Sequence, residues 1–521
     1  MSSLSPLPRS LYSQVEKPAD YWQSTARQAV VDSLRRAQHD EDTARRDCFR
    51  ALHGFLQGVH RDHLEKRLSV SHPSVSKIWN SGDGAYHRYF PLISMLADRL
   101  AVVFHRPPEL WLEDENGDRL PESDPRVRQW RKDEEDAEID VTLQEVERQV
   151  IVLGQTFVEP CWIKGKMSWR VLEPYSVYID QDPEDPAGIT GAPHVSIELP
   201  MPTDTINAAP VSVFMTWRRV DKRDQFSRVI GSEYEVFLHD EYGNLMQNPL
   251  MPDNVNHYGM HPFTVWRAGK KPASGTFWIP ENRGWKNLQI QCDIALMDLD
   301  YLISYQSHSV AVARGGLDIE HFETGPASLI KTADTDFDFS FVTPNPQIPA
   351  LIEAFNMTLR TSAVAESLPP DTWESSSSTR NLGAKQLEQH ALKMRRQRVI
   401  PSYMRRLRQT FEIHKKVGDY WATNGADRVV LGDVRLGVSL APIPEAQDKF
   451  QAIQSNLQEI ANGLNNPIDL LMTTHGITRG EAAKRYERNM RFAANATSIE
   501  PIDAPTPDNG TQRPATVSAD E

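Results

Sequence analysis

Several residue groups have the types and spacing that could do chemistry. His257 and His261, four apart, would share one face of a helix and could hold a metal ion, but Gly259 between them and Pro262 after them argue for a loop. Asp334, Asp336 and Asp338 alternate as in a calcium loop. Phe339 stands where that loop needs its sharp-turn glycine and Asn345 where it needs glutamate, so a solvated strand face is expected. Asp180, Asp182 and Asp185 could hold the divalent ion of a nuclease, yet their setting in DQDPEDP reads as an exposed turn. Residues 64–78, LEKRLSVSHPSVSKI, have the spacing of a helix-turn-helix that would offer a recognition helix to the major groove. Glu65 occupies the position where the first helix needs a small residue and Ser69 the position where the turn needs glycine, which favours a capped surface helix. The phosphate-cradling GxxxxGK[ST] pattern is missing, as are GxGxxG, HExxH and GxSxG, so the chain reads as non-enzymatic and without a cofactor.

Composition narrows the classes further. The 521 residues, 39% hydrophobic and 25% charged, suffice for three or four domains with sizeable cores. A net charge of −14 excludes the broad positive field of a non-specific nucleic-acid coat, so any DNA must be met locally. Cys48, Cys161 and Cys292 are isolated, which argues against a disulfide framework or a thiolate zinc site and fits a reducing compartment. The Ser/Pro-rich start does not read as a signal peptide, and no run of eighteen apolar residues is present to span a bilayer.

The elements that must position these residues follow from periodicity. Residues 18–67 read as a polar helical arm with one apolar stripe. Helices are expected over 89–104, stopped by Arg106-Pro-Pro, and over 137–153, ended by Gly154. Between 155 and 265 the period moves toward two, in FVEPCWI, MSWRVLE, SVYID, VSVFMTWRRV and YEVFLHD. A helix over 288–308 carries Leu288, Cys292, Ala295, Leu299 and Leu302 on one stripe, with Asp293, Asp298 and Asp300 off it. Short β-like runs fill 310–343, another helix 347–366, and a Pro/Ser loop 367–383. The longest helical pattern, 384–417, carries ten Lys/Arg against Glu388 and Glu412, and Pro401 should kink it. Those cations, Lys393, Arg395, Arg396, Arg405 and Arg406 among them, suit a solvated or subunit-facing surface better than direct DNA contact, and could pair with the acidic surplus of neighbouring subunits. A short β stretch lies at 429–440, small helices follow with a capping pattern at Thr478 to Glu481, and the Pro/Thr/Asp-rich end should be disordered.

This order of elements resembles the portal proteins of tailed double-stranded DNA bacteriophages. Local stretches agree: YFPLISMLADRLAVVFHRPPELWLED, VLGQTFVEPCWI, WRVLEPYSVYIDQDPED, HPFTVWRAGK, NLQIQCDIALMDLDYLISYQSHSV, SSSSTRNLGAKQLEQHALKMRRQRVIPSYMRRLRQTF and NNPIDLLMTTHGITRGEAAKRYERN. The likeness covers residues 89–489 and leaves the first 80 unexplained.

The resemblance implies an α+β portal fold of wing, stem, clip and crown, assembling as a ring of about twelve subunits with a central channel. In its terms the chain divides into an N-terminal arm (1–80), wing (81–280), first stem helix (281–309), clip (310–346), second stem helix (347–366), tunnel loop (367–383), long wing helix and strand (384–440), crown (441–492) and tail (493–521). It implies a place at one capsid vertex of the virion, after assembly in the host cytoplasm, where viral double-stranded DNA is packaged and ejected. The partners implied are the large terminase, the major capsid and scaffolding proteins, and head-tail adaptor proteins, with no membrane. Implied channel residues are Pro369, Pro370, Asp371, Trp373, Glu374, Ser376, Ser377 and Arg380 of the tunnel loop, and Asp293, Asp298, Asp300 and Glu353 of the stem. Asp318, Glu320, His321 and Glu323 of the clip are implied for terminase contact. A helix-turn-helix DNA-binding protein using residues 63–79 is the alternative, and a metal-dependent nuclease at Asp180 to Asp185 a further one.

Overall fold

The structure, a computed structural model, describes residues 18–37, 40–71, 89–201, 211–226, 229–269, 271–301, 310–314, 338–342, 348–373, 382–442, 458, 460, 462–463 and 466–496. The chain divides into two compact units, Met1–Leu440 and Ala441–Glu521. Helices and strands are both present and every strand pairing among the described residues is antiparallel, so the class is α+β.

The first unit opens with helices α1 (Ala19–Ala37), α2 (Asp40–Leu56), α3 (Arg61–Ser71) and α4 (Leu92–Leu100). Strand β1 (Glu109–Glu113) and helices α5 (Pro125–Asp136) and α6 (Ile139–Leu153) follow. The predicted stop at Gly154 is present: this residue caps α6 at φ +80°, a left-handed conformation that glycine adopts without steric cost. The helix expected over 89–104 is shorter. Pro91 begins it, and after Leu100 the chain extends because Val102, Val103 and Phe104 point their N–H groups at the buried Glu147 carboxylate, at 2.7–3.2 Å.

The β-rich segment contains β2 (Gln155–Ile163), β3 (Lys166–Leu172), β4 (Val177–Ile179), β5 (His194–Met201), β6 (Val211–Arg223), β7 (Val229–Asp240), β8 (Leu245–Met246) and β9 (Thr264–Arg267). They form a three-stranded sheet β3-β2-β9 and a five-stranded sheet β4-β5-β6-β7-β8. Phe157, Ile197, Val213, Trp217, Val236, Phe263 and Phe277 fill the core they share.

The chain continues through α7 (Arg283–Tyr301), a β10–β11 hairpin (Val310–Arg314 with Asp338–Val342), α8 (Ile348–Ala365), a 3₁₀ turn (Pro370–Trp373) and the 42-residue α9 (Leu382–Thr423). Of the short β-like runs expected over 310–343, Val310–Arg314 and Asp338–Val342 are the two hairpin strands, whereas residues 315–337 lie outside the described residues. Pro401 sits inside α9 without ending it. Strand β12 (Arg435–Ser439) then returns to pair with β1.

The segment expected to be an arm is part of the main core. Phe49, Leu52 and Phe55 of α2 are fully buried with Leu92, Ile93 and Leu96 of α4, Trp285 and Ile290 of α7, and Leu359 of α8. Burial at roughly 1.5–3 kcal/mol per large apolar side chain makes this a structural requirement of the unit. On the five-stranded sheet, Trp22 of α1 packs on Phe237, and Tyr21 donates its hydroxyl hydrogen to Glu235 at 2.9 Å. In the second unit, α10 (Pro467–His475) and α11 (Arg479–Ala496) pack together, and Thr478 and Glu481 form the predicted capping box, the Thr478 N–H reaching the Glu481 carboxylate at 3.1 Å. Residues 497–521, expected to form a disordered tail, lie outside the described residues, as do 1–17.

Candidate functional site

Helices α7 and α8 run antiparallel, since the Trp285 indole near the start of α7 donates to Glu366 just beyond the end of α8, at 2.9 Å. Their contact is apolar, built from Ile290, Met297, Phe355, Leu359 and Ala363. Of the four carboxylates expected to line a channel, Glu353 is exposed and Asp298 and Asp300 are half-exposed.

Asp293 corrects that expectation. It is fully buried, and its oxygens accept from His60 Nδ1 at 2.8 Å, the Phe90 N–H at 2.9 Å and Gln289 Nε2 at 3.0 Å. The polar stripe of α7 faces the helical layer formed by α3 and α4 at this level, so the carboxylate joins three chain segments and cannot face a channel.

The tunnel-loop expectation changes at its first residues. Ser367 takes a left-handed φ of +61°, and the Leu368 N–H bonds back to Ala363 O at 2.9 Å, closing α8 in a Schellman turn with Leu368 buried beneath it. Trp373 then folds back on α8, its indole N–H donating to Leu359 O at 2.9 Å, with Ser362 Oγ at 3.2 Å. Trp373 is therefore an anchor and does not project. Pro369 and Pro370 belong to the same turn, with Pro370 exposed. Asp371 lies within the 3₁₀ turn, and Glu374, Ser376, Ser377 and Arg380 lie outside the described residues.

The basic helix α9 is two-sided. Arg395 pairs with Glu366 at 3.2 Å, and Arg396 is buried near Glu147, whose acid is pushed up by burial against the opposing pull of the three backbone N–H groups and Arg396. Neither is free to meet a neighbouring subunit, which corrects that part of the expectation. Lys393 and Arg406 are half-buried. Arg398, Arg405 and Arg408 are exposed and border a groove of about 1360 Å³ between α9, β9 and the 269–276 loop.

At the base of this groove Arg267 is buried and bonded only to neutral oxygens: Gln155 Oε1 at 3.2 Å, Ala187 O at 3.0 Å and Phe277 O at 2.7 Å. Burial and the repulsion of Arg406 lower its pKa to about 10, against a weaker pull from Asp185. Burial, then Arg405, likewise lowers that of Arg406. Glu412, also on the groove, is already paired with Lys415 at 2.9 Å.

The remaining sequence candidates separate. His257 sits 2.8 Å from Asp253 and stacks on Tyr420, whereas His261 is buried and donates its Nε2–H to Ala192 O at 2.7 Å, so each histidine has its own partner. Asp180 pairs with His194, and Asp182 caps the Glu184 N–H, as expected of a turn. Of the helix-turn-helix stretch, α3 is described, with Leu64 buried and Glu65 exposed; residues 72–88 are not described. Asp318, Glu320, His321 and Glu323 also lie outside the described residues.

Sequence reasoning missed a buried polar node. Asp133 accepts from His414 Nε2 at 3.0 Å, Arg428 at 2.9 Å and Gln129 Nε2 at 2.9 Å, while the Trp169 indole N–H donates to His414 Nδ1 at 3.1 Å. Trp169 thereby fixes His414 as the Nε2–H tautomer. A histidine in register with Leu407 and Phe411, seven and three residues earlier, was the available signal; Glu147, four after Leu143, was the equivalent one on α6.

No protein-family model and no curated protein sequence matches the chain. Among solved structures, the virion of a native gene transfer agent particle matches at TM-score 0.37 and 11% identity, over 77% of this chain and 93% of that one. The neck of the empty particle computed with C6 symmetry gives 0.36 and 13%, over 77% and 93%. The neck of the native particle computed with C12 symmetry gives 0.34 and 12%, over 73% and 87%. At these TM-scores the likenesses establish neither fold nor role.

Proposed function

We propose that this chain is the subunit of a phage-type portal ring, set at a capsid vertex and enclosing the channel through which double-stranded DNA enters and leaves. The reading is carried by one observation: two antiparallel helices joined through a β-hairpin, then a loop and a 42-residue helix, follow one another in the chain. A second feature agrees with it. Among the described residues α8 buries Leu359, Ser362 and Ala363 but leaves Ile352, Met357 and Val364 43–68% exposed, as a helix does that completes its packing against another copy.

On this reading Glu353, Asp298 and Asp300 line the channel, and repetition of a subunit of net charge −14 makes its bore repel phosphate, so that DNA slides. The β10–β11 hairpin belongs to the clip, where Asp318, Glu320, His321 and Glu323 meet the terminase motor that supplies ATP-driven work. The chain itself catalyses nothing, and the capsid, scaffolding and adaptor proteins are its other partners.

Native mass spectrometry and negative-stain imaging of the purified protein test the reading. A ring of about twelve copies with a central hole is expected; a monomer or dimer that stays so in the presence of capsid and scaffolding proteins overturns it.

A further inference from the structure

We propose that the basic groove beside α9 receives the acidic ridge at the α5–α6 junction of a second copy of this chain, so that copies dock head to tail. The groove gathers Arg267, Lys271, Arg398, Arg405, Arg406 and Arg408, with Asp185 and the already paired Glu412 as its only carboxylates among the described residues. Arg267 bonds only neutral oxygens, so beyond the weak pull of Asp185 no ion pair offsets its charge, and Arg406, its pKa lowered by burial and then by Arg405, adds to the crowded positive charge. Such a site favours an anionic occupant by removing the repulsion among its own cations.

The chain carries a matching surface. Glu135, Glu138 and Asp140 are exposed where α5 passes into α6, beside Glu134, whose acid is raised by burial and by Asp140 despite its bond to Arg131. The groove and the contact that α5 makes lie on opposite faces of α9. Trp130 of α5 meets α9 edge-on at Phe411 and His414, with ring centroids 5.0 and 5.3 Å away. At about 100° per residue, Arg405, nine residues before His414, points half a turn away from that contact. The groove of one copy and the ridge of the next can therefore meet without occluding the groove and ridge left free, which is a heterologous contact that closes into a ring or extends as a filament.

A polyanion is the poorer occupant. A second copy carries the same net charge of −14, so long-range repulsion opposes either occupant, and what favours the copy is the short-range fit of a compact row of carboxylates to the groove's cations. The proposal rests on the ring reading for closure, and names the contact that makes the ring.

Two charge-reversed proteins test it: Arg405→Glu with Arg408→Glu, and Glu135→Lys with Glu138→Lys. All four positions are exposed, and circular dichroism and melting temperature should match the wild type. By sedimentation velocity and native mass spectrometry, each variant alone should assemble about a hundredfold more weakly than wild type. An equimolar mixture should assemble again, with the two variants alternating, because each reversed surface then faces its complement. Variants that assemble like wild type overturn the contact and leave the ring standing, whereas a wild type and a mixture that both remain monomeric overturn the two together. A groove variant that assembles normally but loses binding to a fluorescein-labelled DNA duplex overturns the contact and assigns the groove to nucleic acid.

Discussion

Asp293 Oδ2 lies 2.8 Å from His60 Nδ1, and both side chains are within 2% of complete burial. The residues are 233 positions apart, so one carboxylate closes the helical layer onto α7. His60 in turn stacks on Tyr89, with ring centroids 4.9 Å apart, at the chain's re-entry before α4. A residue whose sequence position suggests a channel acid is in fact a staple of the core.

Asp293→Ala should lower the stability of the first unit by about 3–5 kcal/mol, because it strands a buried imidazole, an amide and a backbone N–H. Glu353→Ala, at an exposed position, should stay within about 0.5 kcal/mol. Urea midpoints of the two variants make the comparison, and equal small shifts would return Asp293 to the surface set.

The His261 imidazole should make the protein lose stability in mild acid. Its Nδ1 is buried with no hydrogen-bond partner among the described residues, and burial lowers its pKa to about 4, slightly opposed by the bond to Ala192 O. An unfolded histidine titrates near about 6.5, so the contribution is complete above that pH and is lost as pH falls toward 4. His261→Gln should remove a pH-dependent loss of up to about 3 kcal/mol across that window, read as a flatter dependence of melting temperature on pH. An unchanged slope would show that the imidazole is already protonated in the folded chain.

Asp133 works lower on the pH scale. Burial pushes its carboxyl up, but His414, Arg428 and Gln129 together outweigh burial and hold it below the ordinary range. Its contribution is therefore present above about pH 4 and lost as pH falls through the lower folded value. Asp133→Asn should destabilise the protein by roughly 3 kcal/mol at pH 7, and the gap from wild type should narrow below about pH 4. A gap that stays constant with pH would rule out the ionised carboxylate as its source.

Glu147→Leu should be among the most damaging single changes, costing more than about 3 kcal/mol, because Val102, Val103 and Phe104 would keep buried N–H groups with no acceptor. Glu147→Gln retains one acceptor oxygen and should recover part of the loss. Thermal melting of the pair reads the difference, and equal losses would point to packing alone.

Trp373→Phe keeps the ring and removes the donor to Leu359 O and Ser362 Oγ, so it should cost about 1–2 kcal/mol and loosen the end of α8. Amide exchange at residues 363–368 is the measurement. Exchange rates unchanged from wild type would show that the Schellman turn holds without the indole.

Much of the element order was legible because it depends on local signals. Leu143, Val146, Val150 and Leu153 recur at helical spacing, Gly154 supplies the left-handed stop, and the period-two runs from Phe157 to Asp240 match pleated strands. Strand β1 escaped notice because ELWLE is short and has its partner, β12, more than 300 residues later. Strand β5 was missed for a related reason, since HVSIELPM gains its stability from β4 and β6 on either side.

What the sequence determined by itself was the periodicity, the caps, the absence of a phosphate loop and the excess of acid, all properties of neighbouring residues or of composition. What only the tertiary structure decided was the fate of individual charges. Asp293 and Glu353 are both acids on adjoining helices, yet one meets three buried donors and the other is exposed. Arg396 and Arg405 lie on the same helix, nine residues and therefore about half a turn apart, and so one faces buried Glu147 and the other the solvent. Burial of a charge depends on which distant segment supplies its partner, and that pairing is fixed by packing across the whole unit.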